Sequence, residues 1–303
     1  MTVVPMPGEM IVRRIPFTFP DDLDPIWNPA QPEWSHMVTG ASITMPYLEP
    51  FLIATLRQGV AELDDEVIVA DAKAFIGQEA QHFRTHRRFN EVVKAAGYPA
   101  LADVEDAMAA SYERMTERRS LRYRLAYAAG FETMSLGMCA WLTGERRKLF
   151  AGSDTRVASF ILWHFVEEEE HKRVAFGVYQ AAYGDYWPRA WGVFMGAGHV
   201  FWYSRKACLA MLHTDGKRWN VRARLRLWRR TVEFFAAVIP GALRGLRPGH
   251  TPDAEPESPW ARAWIEAYAT TAADADGDEL IVPLVDTSHP DLPVPFATPE
   301  VAA

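Results

Sequence analysis

Cysteine is nearly absent from this chain of 303 residues: Cys139 and Cys208 are its two thiols. Two cysteines cannot build a disulfide framework and suit a reducing compartment, where a cysteine serves as a small buried apolar residue. The N-terminus has no basic segment followed by an apolar run, so it does not read as a secretory signal, and the expected localisation is cytoplasmic. Long apolar runs are missing as well. The best candidate, 190–212, is interrupted by Arg205 and Lys206 and is too short for a transmembrane span. Net basic charge is lacking, the balance being −7, which argues against nucleic acid as the partner, because phosphate neutralisation needs a basic surface. Strand-like alternation of polar and apolar residues is not found either, and the expected fold class is all-α.

What the chain does have is apolar content, 49% of residues, enough for a sizeable core. Residues 1–40 are rich in proline and read as an extended N-terminal arm. Helical patterning then runs over 45–61, 64–96, 102–118, 121–143 and 154–183. Pro46 stands near one start, Asp154 is suited to an N-cap, and Gly97 and Gly184 act as stops. This divides the chain into an arm (1–40), a bundle (41–186), additional aromatic and basic helices packed on it (187–272) and an acidic, proline-rich tail (273–303). From Arg205 to His250 there are eleven Lys or Arg against two acids, and from Thr251 onward eleven Asp or Glu against Arg262 alone. The tail is therefore a competitor for the basic face.

Chemistry concentrates in two segments. Glu79-Ala-Gln-His82 and His164-Phe-Val-Glu-Glu168-Glu-Glu-His171 each hold a carboxylate and an imidazole three residues apart in helical sequence. Side chains at i and i+3 lie one above the other, so each pair can grip a metal ion from one face. His164, one turn before Glu168, adds a third imidazole to that face. Two such pairs plus one Glu from each of two further helices are what a four-helix bundle needs to hold two metals. Glu49 and Glu132 are the available single carboxylates. Glu132 lies in a segment so apolar that an unpaired carboxylate there costs several kcal/mol unless a cation or hydrogen bonds compensate it. Pairing with an arginine such as Arg122, or simply facing solvent, is the competing explanation. The expected metal ligands are thus Glu49, Glu79, His82, Glu132, His164, Glu168 and His171. Glu167, Glu169 and Glu170 read as solvated or as acceptors behind the ligands, and His86, four residues after His82, either as a further ligand or as a residue behind the ligands or along a channel. Phe83, Phe131, Met134, Met138, Trp163 and Phe165 are candidates for an apolar pocket.

The order single Glu, E-x-x-H, single Glu, E-x-x-H resembles the ferritin-like di-iron carboxylate superfamily. The added His164 is similar to the pattern of the arylamine N-oxygenases. The wording Gly-Gln-Glu79-Ala-Gln-His82-Phe-Arg-Thr-His86 and Glu-Glu-His171-Lys-Arg-Val-Ala-Phe resembles a bacterial family of predicted metal-dependent hydrolases, over about residues 10–260. The resemblance implies a ferritin-like four-helix bundle with additional C-terminal helices. It further implies two Fe ions, or a Mn/Fe pair, O2 as co-substrate, an external electron donor such as an electron-transfer protein, and oxidation of a small hydrophobic or aromatic molecule. A metal-dependent hydrolase and an iron-storage or metal-handling protein are the alternatives. For the basic, aromatic region 190–238, a peripheral membrane contact and a homodimer interface stand beside plain packing.

Overall fold

The computed structural model describes residues 10–275, 280–288 and the pair 296–297. Expectations for the first nine residues and for most of the tail lie outside the described residues. The fold is all-α. Its helices are α1 (Pro32–Ser42), α2 (Met45–Val60), α3 (Glu66–Ala95), α4 (Leu101–Arg118), α5 (Leu121–Gly144), the short α6 (Arg146–Phe150), α7 (Thr155–Glu170), α8 (Val174–Ala182), α9 (Tyr186–Thr214), α10 (Val221–Gly245) and α11 (Pro259–Asp274). A minimal antiparallel pair, β1 (Val282–Pro283) with β2 (Phe296–Ala297), completes the described elements.

Local chemistry explains the boundaries. The Asp65 carboxylate accepts hydrogen bonds from the Val67 and Ile68 amides and caps α3, and Asp154 does the same for α7 with Arg156 and Val157. Gly97, at φ +116°, ends the α3 region in a conformation that a Cβ would disfavour. Two expectations change. The arm does not stay extended to residue 40, because Pro32 at the first turn opens α1. Nor is it a surface covering alone: Arg13, Ile15, Phe17, Leu23 and Trp27 are all buried. The helix expected over 154–183 is also not continuous. It tightens into a 3-10 turn at His171–Arg173 before resuming as α8.

The bundle forms as α2 packs on α3 and α5, while α5 also packs on α7 and α8. On the other side of α5 lies α9, and the approach is close enough to require glycine. A Cβ on Gly192 would sit 1.9 Å from the Ala126 carbonyl oxygen, and one on Gly130 would sit 2.1 Å from the Gly192 carbonyl carbon. α10 packs against α5 beside α9. The described tail contributes Ile281, Val282 and Val285 to the core and donates the Val285 amide to Ser159 Oγ at 2.7 Å. Among the described residues, the tail does not screen the arginine ladder of α10: Arg226 pairs with Glu33, Arg229 and Arg230 pair with Glu233, and of the ladder's neighbours only Arg244 finds a described acid beyond Thr251, Glu255. Among the described residues, no helix is long and apolar enough to cross a membrane.

Candidate metal centre

The donors converge from four helices. Glu49 comes from α2, Glu79 and His82 from α3, Glu132 from α5, and His164 and Glu168 from α7, with His171 on the 3-10 turn that follows. All seven are buried, none more than 4% exposed. Glu168 Oε1 is the hub, lying 3.2 Å from His164 Nε2, 3.5 Å from His171 Nδ1 and 3.7 Å from His82 Nδ1. His171 Nδ1 is also 3.1 Å from Glu79 Oε1, a reach that the tightened turn provides. Ligand atoms of Glu49, Glu79 and His82 form one close group, those of Glu79, Glu168 and His171 another, those of His82, His164 and Glu168 a third, and those of Glu49, His86 and His164 a fourth. Glu132 stands at the edge, outside these closest groups, where its carboxyl feels the charges of Glu168, His171 and Glu79. Arg122, its competing partner in sequence, pairs instead with Asp185 at 2.6 Å.

Most of the atoms facing the cluster centre have no hydrogen-bond partner. Both oxygens of Glu49, Glu79 and Glu132, one oxygen of Glu168, and the Nδ1 atoms of His82 and His171 are buried and unpartnered. Buried polar groups are otherwise almost always satisfied, because an orphan costs about 1–3 kcal/mol. So many orphans aimed at one place are what cation ligation demands. The site fits a pair of metal ions in donor chemistry as well, with hard, negative oxygens beside neutral nitrogens.

The far side of each imidazole is tied down, which selects the nitrogen that faces inward. His82 Nε2 lies 2.9 Å from Glu167 Oε2, and Glu167 in turn accepts from Arg13 at 2.9 Å. His171 Nε2 lies 2.7 Å from Gln78 Oε1, while the Gln78 amide donates to the Ile11 carbonyl and to Glu170. Both histidines therefore donate outward and keep the Nδ1 lone pair for the cluster. His164 is set by a longer relay. Asn90 Nδ2 donates to the Ser42 carbonyl, which turns Asn90 Oδ1 toward the Ser42 hydroxyl, and that hydroxyl donates to it at 2.6 Å. Ser42 Oγ then accepts from His86 Nδ1, His86 Nε2 accepts from His164 Nδ1 at 2.7 Å, and His164 Nε2 is left with its lone pair toward Glu168. His86 has both nitrogens spent in this relay. It lies behind His164.

Burial and mutual repulsion dominate the electrostatics. Burial first, then the charges of Glu79 and Glu168, push Glu49 well above the ordinary carboxylate range. Burial and Glu168 do the same to Glu132. Burial and neighbouring His164 bring His82 down to about 3, so it is neutral at any physiological pH. Burial also works against ionisation of Glu168 and His171, but their mutual attraction outweighs it: Glu168 is held well below its usual range and His171 well above. Without a metal, then, Glu49, Glu132 and His171 are biased toward their protonated forms, the extra proton on His171 taking the Nδ1 lone pair that a cation would otherwise meet.

Residues 11–255 match the sequence model of a family described as predicted metal-dependent hydrolase. The chain belongs to this family. The match covers the arm from Ile11 onward, all the donors and the α9–α10 pair, so the family's extent includes both the cluster and the apolar wall beside it. No curated protein and no solved structure matches the chain.

A cavity of about 460 Å³ reaches the cluster at Glu49, Glu79, His164 and Glu168. Of the pocket candidates read from sequence, Phe131, Met134, Met138 and Phe165 line it. Phe83 and Trp163 do not. Trp163 is packed in the core against Phe17 and His82, and Phe83 lies beneath Arg84 and Arg87. The rest of the wall comes from α9 and α10, including Phe194, Phe201, Phe234 and Phe235. Four residues of the centre escaped sequence reasoning: Arg13, Ser42, Gln78 and Asn90. Glu167, expected as solvated or as an acceptor behind the ligands, is the latter and is fully buried.

Proposed function

We propose that the chain is a non-haem di-iron enzyme that activates O2 to oxidise an apolar or aromatic small molecule, built on a bundle of the ferritin-like kind. One observation carries this reading: four carboxylates and three imidazoles converge in the buried core with most of their inward atoms unpartnered, and an apolar cavity leads to them. Glu49, Glu79, Glu132 and Glu168 are the oxygen ligands; His82, His164 and His171 are the nitrogen ligands. Two Fe(II) ions held there, or a Mn/Fe pair, would supply the electrons that reduce O2, replenished by an external reductant.

The protein's own residues do the remaining work. Glu168, within reach of all three imidazoles, would hold metal together with His82, His164 and His171. Arg13, held protonated by Glu170 and Glu167 against the cost of burial, fixes the outer shell around His82 and His171. Ser42 and His86 hold the proton on His164 Nδ1, away from the cluster. Phe131, Met134 and Phe165 exclude bulk water and admit O2 and an apolar substrate.

Hydrolysis, the activity in the family's description, is the second reading. The wall bears on it. Beyond the cluster itself, Ser42 and His86 are engaged in the relay, and Ser204, Arg205 and Thr231 sit out on α9 and α10, which leaves little to bind the polar group that a hydrolase cleaves. The separating experiment loads metal-free protein with Fe(II) under anaerobic conditions and follows the optical spectrum as O2 is admitted. The proposal expects new visible or near-ultraviolet absorption and O2 uptake that needs both metal and reductant. Turnover of an ester or amide probe in the absence of O2, with no spectral change, would establish the hydrolase instead.

A further inference from the structure

The outer faces of α9 and α10 carry apolar residues where solvent should be. On α10 the exposed residues Val221, Leu225, Trp228, Val232, Ile239 and Leu243 recur at steps of three, four or seven residues and form one stripe along the helix. On α9, Trp187, Trp191, Phe194 and Trp202 recur at steps of four, three and eight residues and share one side of the helix. Phe201 and Phe235 touch across the two helices, with ring centroids 4.9 Å apart. The stripes meet where the cavity opens, because Phe194, Ile239 and Leu243 are at once exposed and part of its wall.

Charge indicates what covers this face. α9 contains no acid and α10 contains only Glu233, which Arg229, Arg230 and Lys148 already engage. Basic residues flank the stripes. Arg222 and Arg229 lie one position after Val221 and Trp228, and Lys206 sits with its ammonium over the Trp202 ring. On a chain of net charge −7, such local segregation selects an anionic partner. A second copy using this face would set two arginine-rich faces against each other, and the one acid on α9 and α10, Glu233, is already engaged by Arg229, Arg230 and Lys148. A lipid surface supplies both components, phosphates for the basic flank and acyl chains for the aromatic stripe.

We infer that α9 and α10 form a peripheral docking surface for an anionic bilayer, lying in its interface with the mouth of the cavity turned toward the lipid. Amphipathic helices with Trp, Phe and Leu on one face and Lys or Arg beside them bind in this manner, in the plane of the membrane and not across it. The inference stands apart from the reaction carried out at the metal centre.

Co-sedimentation of the full chain with vesicles tests it, comparing phosphatidylcholine alone with phosphatidylcholine mixed with phosphatidylglycerol. Binding to the anionic vesicles that weakens as salt rises is expected. Each basic residue near an anionic surface contributes about a fivefold factor, so Arg222→Gln with Arg229→Gln should lower the partition coefficient on the order of thirtyfold. Leu225→Glu with Trp228→Glu should abolish binding, while circular dichroism and metal content stay as in the wild type. Binding that neither variant changes would overturn the inference. So would a wild type that ignores anionic vesicles, whether it sediments as a monomer or as a dimer that the Leu225 and Trp228 changes dissociate; the dimer would mark the face as a contact between copies.

Discussion

Replacing Glu132 with Met should stabilise the metal-free protein and forfeit part of the stability that metal binding adds. Glu132 is 1% exposed and both its carboxyl oxygens lack partners. Leaving a buried polar group unsatisfied costs about 1–3 kcal/mol, and methionine fills nearly the same volume without that cost. The metal-free Glu132→Met protein should therefore melt roughly 2 to 12 °C above the metal-free wild type, at about 2–4 °C per kcal/mol for a domain of this size. The gain has a pH signature. The folded-state pKa of Glu132 lies above that of the unfolded carboxyl, so the wild type is best off at low pH and loses stability as pH rises through the folded value. The advantage of the variant should widen accordingly. With metal that advantage shrinks, since the wild type gains about 2.7 kcal/mol at a free metal concentration one hundred times its Kd and the variant, short of a ligand, gains less. Differential scanning calorimetry with chelator and with Fe(II), at two pH values, reads all of this. A metal-free variant that melts below the wild type, with unchanged metal content, would show that Glu132 is a structural group and refute the reasoning.

Three further outcomes follow from the same geometry. Ser42→Ala should break the relay that holds the proton on His164 Nδ1, keep the fold, and weaken metal binding roughly 10–100-fold, as removal of outer-shell partners does elsewhere; a competition titration with a chelating dye measures it. Metal binding should release protons, because Glu49, Glu132 and His171 are all pushed toward their protonated forms in the metal-free site; affinity should therefore rise with pH, as calorimetry in buffers of different ionisation enthalpy will record. Gly192→Ala should destabilise by at least about 1–3 kcal/mol, since its Cβ would meet the Ala126 backbone at 1.9 Å, whereas Gly198→Ala, with nothing within 4 Å of its Cβ, should be neutral or slightly stabilising in denaturant melts.

The candidate ligands were readable because their signal is local. An E-x-x-H pair declares itself within one helical turn, and Glu132 stands out as a lone charge in an apolar helix. The supporting shell was not readable, for a physical reason: it is assembled from distant segments. Arg13 reaches the centre from the arm, and Ser42 from a helix hidden within a proline-rich stretch whose start, Pro32, is itself a helix signal. Gln78 and Glu167 each adjoin a ligand in sequence, where helical spacing turns a side chain away from the ligand's own face; they serve by reaching around it. The 3-10 turn at His171 has no glycine or proline to announce it and arises where His171 must meet both Glu79 and Glu168. Periodicity also cannot tell an apolar face that packs from one that lines a cavity, which is why Trp163 went to the core and Phe165 to the wall. The ladder behaves likewise. Arg226 is tied to buried Glu33, while Arg222 and Arg229 remain on the outer face, a division that charge counting along the chain does not contain.

The central claim is that one buried cluster of seven side chains holds two metal ions, and metal stoichiometry tests it most directly. Wild-type protein stripped with chelator, reloaded with Fe(II) without oxygen and passed through a desalting column should carry two ions per chain by elemental analysis. Glu79→Ala and Glu168→Ala should each lose most of that metal while keeping their helical circular dichroism. One ion or none in the wild type, or full occupancy in either variant, would contradict the account.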